Sequence, residues 1–407
     1  MSNKYFDIKD TLYNITEKYA EAIELLISVG FDNIKDENLR KAFGQSISLE
    51  NALKLKKINI ENFVEQLVER IEANNNGVSE ASDKKDSVKI VGVLPCPVRV
   101  PLTENFESWV AEQNFDFNLD YELKAASVGI GWIKDALKEQ SEDALPDLFM
   151  SAGFELFFDK ELFGKYKAKN IFEDITGIDH YNSDFHNTDI ELMDPNKQYS
   201  IVGTVAAVIV VNHEELNGRK APTSWEDILD EEFENSVSLP VMDLDLFNSI
   251  LLNIYKNYGE EGIRKLGRSL KKSLHPSEMV KLQIKVSDKP AVTIMPYFFT
   301  KMLREDSPMV PVWPKDGAII SPIFMLSKKE KATQLKPIVD FFASKKVGEI
   351  LSHDGRFPSV HPEVDNLLPK ENKYMWLGWD FINEHDISAL IRKCEEIFHN
   401  ASKGVDR

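Results

Sequence analysis

Residues able to do chemistry are scattered along this chain, and none of them forms a spacing that fixes a reaction. The densest group is Asp179, His180, Asp184, His186 and Asp189. Imidazole and carboxylate suit zinc, iron or manganese, with His180 and His186 as the metal candidates, but the spacing matches no metal motif and a solvated polar loop is the competing reading. Cys96 lies between Pro95 and Pro97, with no histidine near it in sequence to serve as a base. It is either a small buried filler or a ligand or nucleophile. Arg99 can hold a carboxylate or oxyanion through two parallel N–H donors, or serve as a surface or bridging arginine. Ser151 and Gly153 precede a helical pattern, where backbone N–H groups can receive an anion; a plain N-cap is the alternative. Asp243 and Asp245 favour a cationic or metal ligand, or else cap the helix that follows. Tyr297 can stack on an organic ligand or hydrogen-bond to it.

Signatures of common enzymes are missing. There is no glycine-rich phosphate loop ending in Lys-Ser/Thr, no dinucleotide fingerprint after Val88–Leu94 and no Gly-x-Ser-x-Gly elbow.

The elements that must position these residues are easier to read. Ile201 to Val211 is almost wholly apolar, rich in Val and Ile and too short to cross a bilayer, so it reads as a strand covered on both faces. After a polar loop, Pro222-Thr223-Ser224-Trp225-Glu226-Asp227 reads as a helix start, with Thr223 or Ser224 as N-cap and acids in the first turn. Strand, loop and capped helix is the order of a doubly wound α/β protein. Upstream, Val88–Leu94 reads as a buried strand, and three prolines make 95–101 a loop before a helix starting near Leu102 or Thr103. Phe115–Leu123 is a second strand, Ile130–Leu137 a helix, Leu148–Met150 a third strand, Ser151–Gly153 a turn and Phe154–Phe158 a helix start. Three such units predict a parallel sheet, with ligand groups outside the carboxyl ends of its strands. Further on, strands are expected at Ser238–Val241 and Ala291–Met295, a long helix through Leu251–Leu274, and a returning segment over Val310–Met325. This topology selects Cys96, Arg99, Ser151, Gly153, Thr204, Asp243, Met295, Tyr297 and Ser321 as the binding set.

Residues 1–73 read as an all-α module. Ile15–Ile27 has helical spacing and ends at Gly30, while Ser48 and Asn59 are candidate N-caps. Ile60, Phe63, Val64, Leu67 and Ile71 form one apolar stripe, which either packs within the module or takes a partner. Residues 74–87, polar and small, read as a flexible linker. The runs NITEKYAEAIELLISVGFDNI and SISLENALKLKKINIENFVEQL resemble a small helical domain of unknown function found at the head of various bacterial proteins. Members of that group often carry a cysteine after the Gly-Phe pair. Here Asp32-Asn33 follow Phe31, so no redox or metal role is carried over.

In the main body, VAAVIVVNHEEL, APTSWEDILDEEF and VSLPVMD resemble the middle of type II periplasmic solute-binding proteins, especially the iron-binding group. Near the end, KPIVDFFASKKVGEILSHDGRFPS resembles that family's closing helix. The resemblance implies a two-lobed α/β fold over residues 88–407, with lobe one about 88–199 and 322–407 and lobe two about 200–321. Two interlobe crossings, near Gly203 and Ile320, would act as a hinge. The implied activity is non-catalytic binding of a small molecule or ion in the cleft, without a cofactor. The implied partner is an ABC permease, or another protein reached through the helical module. Ferric-binding relatives commonly use adjacent tyrosines, whereas Pro296-Tyr297-Phe298-Phe299 offers one phenol, which weakens ferric coordination of that style. The alternative is an enzyme or metal-handling protein on the same scaffold, built on Cys96, Asp179, His180 and His186.

Length and composition set outer limits. At 407 residues the chain is long enough for two or three cored domains. A net charge of -18 argues against nucleic acid and against an anionic membrane surface. Charges interrupt the N-terminus where a secretory signal needs an apolar core, and no segment reaches the roughly 20 apolar residues a membrane span requires. A cytoplasmic protein is therefore expected, although the resembled family is usually exported. Two cysteines give no disulfide framework, and a reducing compartment suits them.

Overall fold

The structure, a computed structural model, describes residues 5–404 apart from 29–30, 32–33, 35–36, 56–59, 61–62, 65–66, 69–70, 72–86, 127–132, 135–136, 138–144, 186–189, 242, 275–278 and 281–287. It divides into two compact units, Met1–Lys85 with Lys124–Gly129, and Asp86–Leu123 with Ile130–Arg407.

The head unit contains α1 (Leu12–Lys18), α2 (Ala20–Ser28), α3 (Glu37–Gly44) and α4 (Leu49–Leu55). Ser48 caps α4 as expected, its hydroxyl accepting the Asn51 amide at 3.3 Å. The single helix expected over Ile15–Ile27 is broken at Tyr19, which is extended at φ -133° and ψ 104°. Tyr19 turns its ring edge-on to Tyr5 and donates its hydroxyl to the Tyr5 carbonyl at 2.8 Å, so tertiary packing overrides helix propensity there. Phe63, Val64, Leu67 and Ile71 are buried in the head's own cluster with Leu12, Leu26 and Leu53, with Ile60 packed against it. The stripe is therefore core. Gly30 and Asn59 lie outside the described residues.

In the body, β1 (Ser87–Leu94) leads into α5 (Cys96–Glu112), followed by β2 (Asn118–Ala125), β3 (Leu148–Ala152), α6 (Glu155–Phe158) and α7 (Gly164–Ala168). Then come β4 (Ser200–Asn212), α8 (Trp225–Ile228), β5 (Val237–Leu239), α9 (Leu244–Ser269), β6 (Leu270–Ser273), β7 (Val292–Pro296), β8 (Met309–Val312) and β9 (Ala318–Ser327). The chain closes with α10 (Ala332–Phe342), α11 (Lys345–Glu349), β10 (Tyr374–Met375), α12 (Trp379–Glu384) and α13 (Ile387–Ser402).

One sheet runs β2-β1-β3-β9-β4-β7-β5-β6. Its logic is a parallel pair β1/β3 on one side, a parallel set β7/β5/β6 on the other, and two long antiparallel strands between them. β4 has 13 residues, all buried except the half-buried Val205, as expected for a strand covered on both faces. Its first residues pair with the end of β9, and its last residues pair with β7 and β8. β9 in turn pairs with β3 through Ile323–Ser327. The chain thus crosses from one half to the other along β4 and returns along β9. A register shift at Gly203 interrupts the β4/β9 ladder. A Cβ on Gly203 would lie 3.3 Å from Leu351 Cδ1 and from the Pro358 carbonyl, so glycine suits this close approach.

The halves are not separately cored. One apolar cluster joins Phe149 and Phe154 on one side to Ile209, Trp225 and Phe247 on the other, and α13 adds Ile391 and Phe398. Where β3 meets β9, the Lys328 ammonium donates to Asp147 Oδ1 at 3.1 Å and to the Leu145 carbonyl at 2.9 Å. The other Asp147 oxygen accepts the Lys89 amide at 2.9 Å. This is a buried ion pair in which both carboxylate oxygens are hydrogen-bonded.

Several boundaries move from expectation. α5 starts at Cys96 because a proline in the first turn forfeits no helical hydrogen bond; only Pro101 sits deeper, and its carbonyl accepts the Asn105 side-chain amide at 2.8 Å. β3 extends through Ser151 and Ala152. Residues 270–273 form a strand beside β5 rather than the end of a helix, because Leu270 is already extended. The segment Val310–Met325 resolves into two strands around Gly317, at φ 114°, where a Cβ would strike the Tyr374 backbone.

Candidate functional site

Three chain segments converge beside the crossing strands. The 3₁₀ turn Tyr297–Met302 follows β7, the π-helical turn Ile350–Asp354 follows α11, and the first turn of α5 leaves β1. The segment following the π turn lies against β4, since the Thr204 amide donates to the Pro358 carbonyl at 2.9 Å and Ser359 forms an isolated bridge with Gly203. A Cβ on Gly355 would lie 2.4 Å from Val98 Cγ1, which brings α5 into the same junction.

Across this junction the two halves touch through named groups. The Phe298 and Phe357 rings stack at 6.0 Å, 10° from parallel. Lys301 donates its ammonium to the carbonyls of His353 at 2.8 Å and Asp354 at 2.7 Å. Arg356 Nη1 donates to Thr300 Oγ1 at 2.6 Å, and the guanidinium carbon lies 5.2 Å from the centre of the Tyr297 ring. Tyr297 is also edge-on to Trp313 at 5.4 Å, and Trp313 is edge-on to Tyr374 at 5.4 Å. Burial, the Asp184 carboxylate and the Tyr297 hydroxyl push the Tyr374 phenol well above its usual range.

The binding set expected from sequence is distributed unevenly over this geometry. Tyr297 is at the junction, half-buried. Thr204 and Ser321 lie on the paired crossing strands, opposite Pro322 and Val205, and both are buried. The Ser321 hydroxyl has no hydrogen-bond partner among the described residues. Arg99, half-buried, and Cys96 lie in the first turn of α5. Met295 lies elsewhere, in an apolar cluster with Val210, Met279 and Met309.

Ser151 and Gly153 do not form an anion cradle. Ser151 turns its hydroxyl to the Ala152 carbonyl at 3.1 Å, and α6 has only four residues, too short to build a strong positive end. A Cβ on Gly153, at φ 108°, would fall 2.4 Å from Asp245 Oδ1, so a carboxyl group rather than an open space faces this turn. Asp243 caps α9, accepting the Leu246 amide at 3.4 Å, as one of its two readings anticipated. Burial, followed by repulsion from Asp243, raises Asp245 to a pKa of about 7; the nearby Lys134 and Glu155 form an ion pair at 2.6 Å.

Nor do the metal candidates gather. His180 pairs with its exposed neighbour Asp179, while Asp184 is buried against Lys370 at 2.6 Å and Asn366 at 3.0 Å. His186 and Asp189 lie outside the described residues. No group of three or more metal-ligating side chains occurs among the described residues. No helix among them is long and apolar enough to cross a membrane.

Sequence reasoning passed over Arg356. The Gly355-Arg356 pair after a helix was a turn signal, but nothing in the sequence announces its partner Thr300.

Residues 143–385 match the family of bacterial extracellular solute-binding proteins, and residues 6–64 match a domain of unknown function (DUF1858). No curated protein matches the chain. Among solved structures, the apo ferric ion-binding protein A of Pasteurella haemolytica is 13% identical with a TM-score of 0.55, covering 77% of this chain and 98% of its own. An ABC transporter structure from Clostridium perfringens is 15% identical with a TM-score of 0.53, over 76% of this chain and 99% of its own. The Trichodesmium protein FutA, in complex with iron and citrate, is 11% identical with a TM-score of 0.53, over 76% and 99%. At these identities the likeness carries the fold, two α/β lobes joined by two crossings.

Proposed function

Because this chain belongs to the bacterial extracellular solute-binding protein family, we propose that its body holds a small solute between its two lobes and closes on it without chemistry. The observation that supports this best is the sheet order. Among the described residues, only β4 and β9 bridge the parallel set on one side and the parallel set on the other. Bending of two such strands near the Gly203 irregularity moves one lobe against the other, while a solute that touches both favours the closed form. We place lobe one at about 88–199 and 322–407 and lobe two at about 200–321, with Tyr297, Thr204, Ser321 and Arg99 beside the gap.

An organic solute fits better than a bare ferric ion. Phe298 and Phe299 follow Tyr297, so its turn supplies one phenol, and burial holds the Tyr374 phenol in its protonated form. Family members are extracellular by description, so the cytoplasmic address expected from the N-terminal charges draws no support from them. An ABC permease is the partner this reading implies.

Thermal-shift screening of the full chain against organic acids, amino acids, sugars and metal salts tests the reading. One solute class should raise the melting point without being consumed. Tyr297→Ala and Arg99→Ala should abolish that shift and leave the unliganded melting point nearly unchanged. Wild-type responses from both variants would overturn this placement of the gap, and consumption of the solute would favour an enzyme.

A further inference from the structure

We infer that the solute carries an oxyanion group, carboxylate or phosphate, received by Arg356 against the aromatic wall of Tyr297, Trp313 and Tyr374; this rests on the solute-binding reading above. Arg356 is half-buried, and among the described residues no carboxylate lies within ion-pairing distance of it. That is unusual in a chain with 67 acidic and 49 basic residues. A guanidinium partly removed from water loses hydration that an opposite charge normally replaces. Its orientation is nevertheless fixed: Nη1 is held by Thr300 Oγ1, which itself donates to the Tyr297 carbonyl at 2.7 Å, and one face rests on the Tyr297 ring. Nε and Nη2 make no hydrogen bond among the described residues, and this pair forms a fork suited to two oxygens of one anion.

A second observation points independently to a ligand. Tyr374 is 5% exposed, and its hydroxyl has no hydrogen-bond partner among the described residues. An unpartnered buried hydroxyl is costly, and a bound acceptor or donor removes the cost. It lies on the same aromatic run as Tyr297, one ring away through Trp313. Lys301, fastened to the carbonyls of His353 and Asp354, adds a second positive charge beside Arg356. The backbone also favours this reading: Arg356 is left-handed at φ 50°, a conformation disfavoured for a side chain of this size and held here by its surroundings.

Calorimetric titration of the full chain with succinate, citrate, inorganic phosphate and glycerol phosphate, against succinamide and putrescine, tests the inference. Wild type should bind at least one oxyanion and neither uncharged nor cationic analogue. Arg356→Ala should weaken that binding about 100-fold, Arg356→Lys should recover part of it, and Tyr374→Phe should weaken it several-fold. The carboxylate and phosphate arms identify which oxyanion is received. If succinamide or putrescine binds instead, the solute-binding reading stands and the anion inference falls. If Arg356→Ala weakens charged and uncharged solutes equally, Arg356 is only a strap between the two turns, and the inference falls again. A wholly silent panel would overturn the anion inference, while the wider thermal-shift screen separately decides the solute-binding reading.

Discussion

Lys328→Ala should lower the stability of the body by about 3–5 kcal/mol, the largest single loss expected here outside the apolar core. The ammonium is buried and makes two hydrogen bonds, one to Asp147 Oδ1 and one to the Leu145 carbonyl. Truncation would leave the Asp147 carboxylate buried with only the Lys89 amide on its other oxygen. The cost is that uncompensated charge, not the net worth of the pair, so the double variant Asp147→Ala/Lys328→Ala should recover much of the loss. Urea unfolding followed at equilibrium reads both. Because the pair fastens β3 to β9, its loss should lower the midpoint of the body's transition. A single variant within about 0.5 kcal/mol of wild type would show that the site is open to water and that this joint is not as closed as described.

The second large effect concerns pH. Asp245 stands in the first turn of α9 against Gly153, and its pKa is raised to about 7 by burial and then by Asp243. The folded protein therefore binds a proton more tightly than the unfolded chain, whose aspartate titrates near pH 4. Stability from this group is fully present below about pH 4, falls as pH rises, and is lost once pH passes about 7. Asp245→Asn removes the ionisation but keeps the shape. Relative to wild type it should be unchanged near pH 4 and more stable by about 4 kcal/mol at pH 8. Urea midpoints at pH 4, 5.5, 7 and 8 measure the gap. Curves that stay parallel across this range would contradict the assignment.

The same contact shows why some of the site was legible and some was not. The two-faced burial of β4 could be read from Ile201–Val211 because a strand in the middle of a sheet needs apolar residues on both sides. The Ser224 cap was legible for a local reason as well: its hydroxyl accepts the Asp227 amide, three residues away, at 3.1 Å. Such signals lie within one turn of their cause. Asp245 meeting Gly153, and Arg356 meeting Thr300, depend on residues brought together by β4 and β9. No periodicity reports them. Ser151 and Gly153 were misjudged for a related reason. Position before a helix suggested an anion, but the helix is four residues long and the facing group, a carboxyl, comes from α9.

Prolines misled in the opposite direction. Pro95, Pro97 and Pro101 looked like a loop because each lacks an amide. Two of them occupy the start of α5, where no helical hydrogen bond would have used that amide. Cys96 and Arg99 therefore sit on a helix rather than on a loop, which fixes the direction of the backbone that carries them. Tyr297 was found from its turn, whereas its arginine partner was not, because a cation–π contact leaves no spacing in a sequence.

The most direct test of the whole account is the distance between spin labels at Glu107, on α5 in the proposed lobe one, and Glu214, just after β4 in the proposed lobe two. Measured by double electron–electron resonance without and with the solute selected by thermal shift, the distance distribution should shorten and narrow on binding. A distribution that saturating solute leaves unchanged would contradict closure about the crossing strands.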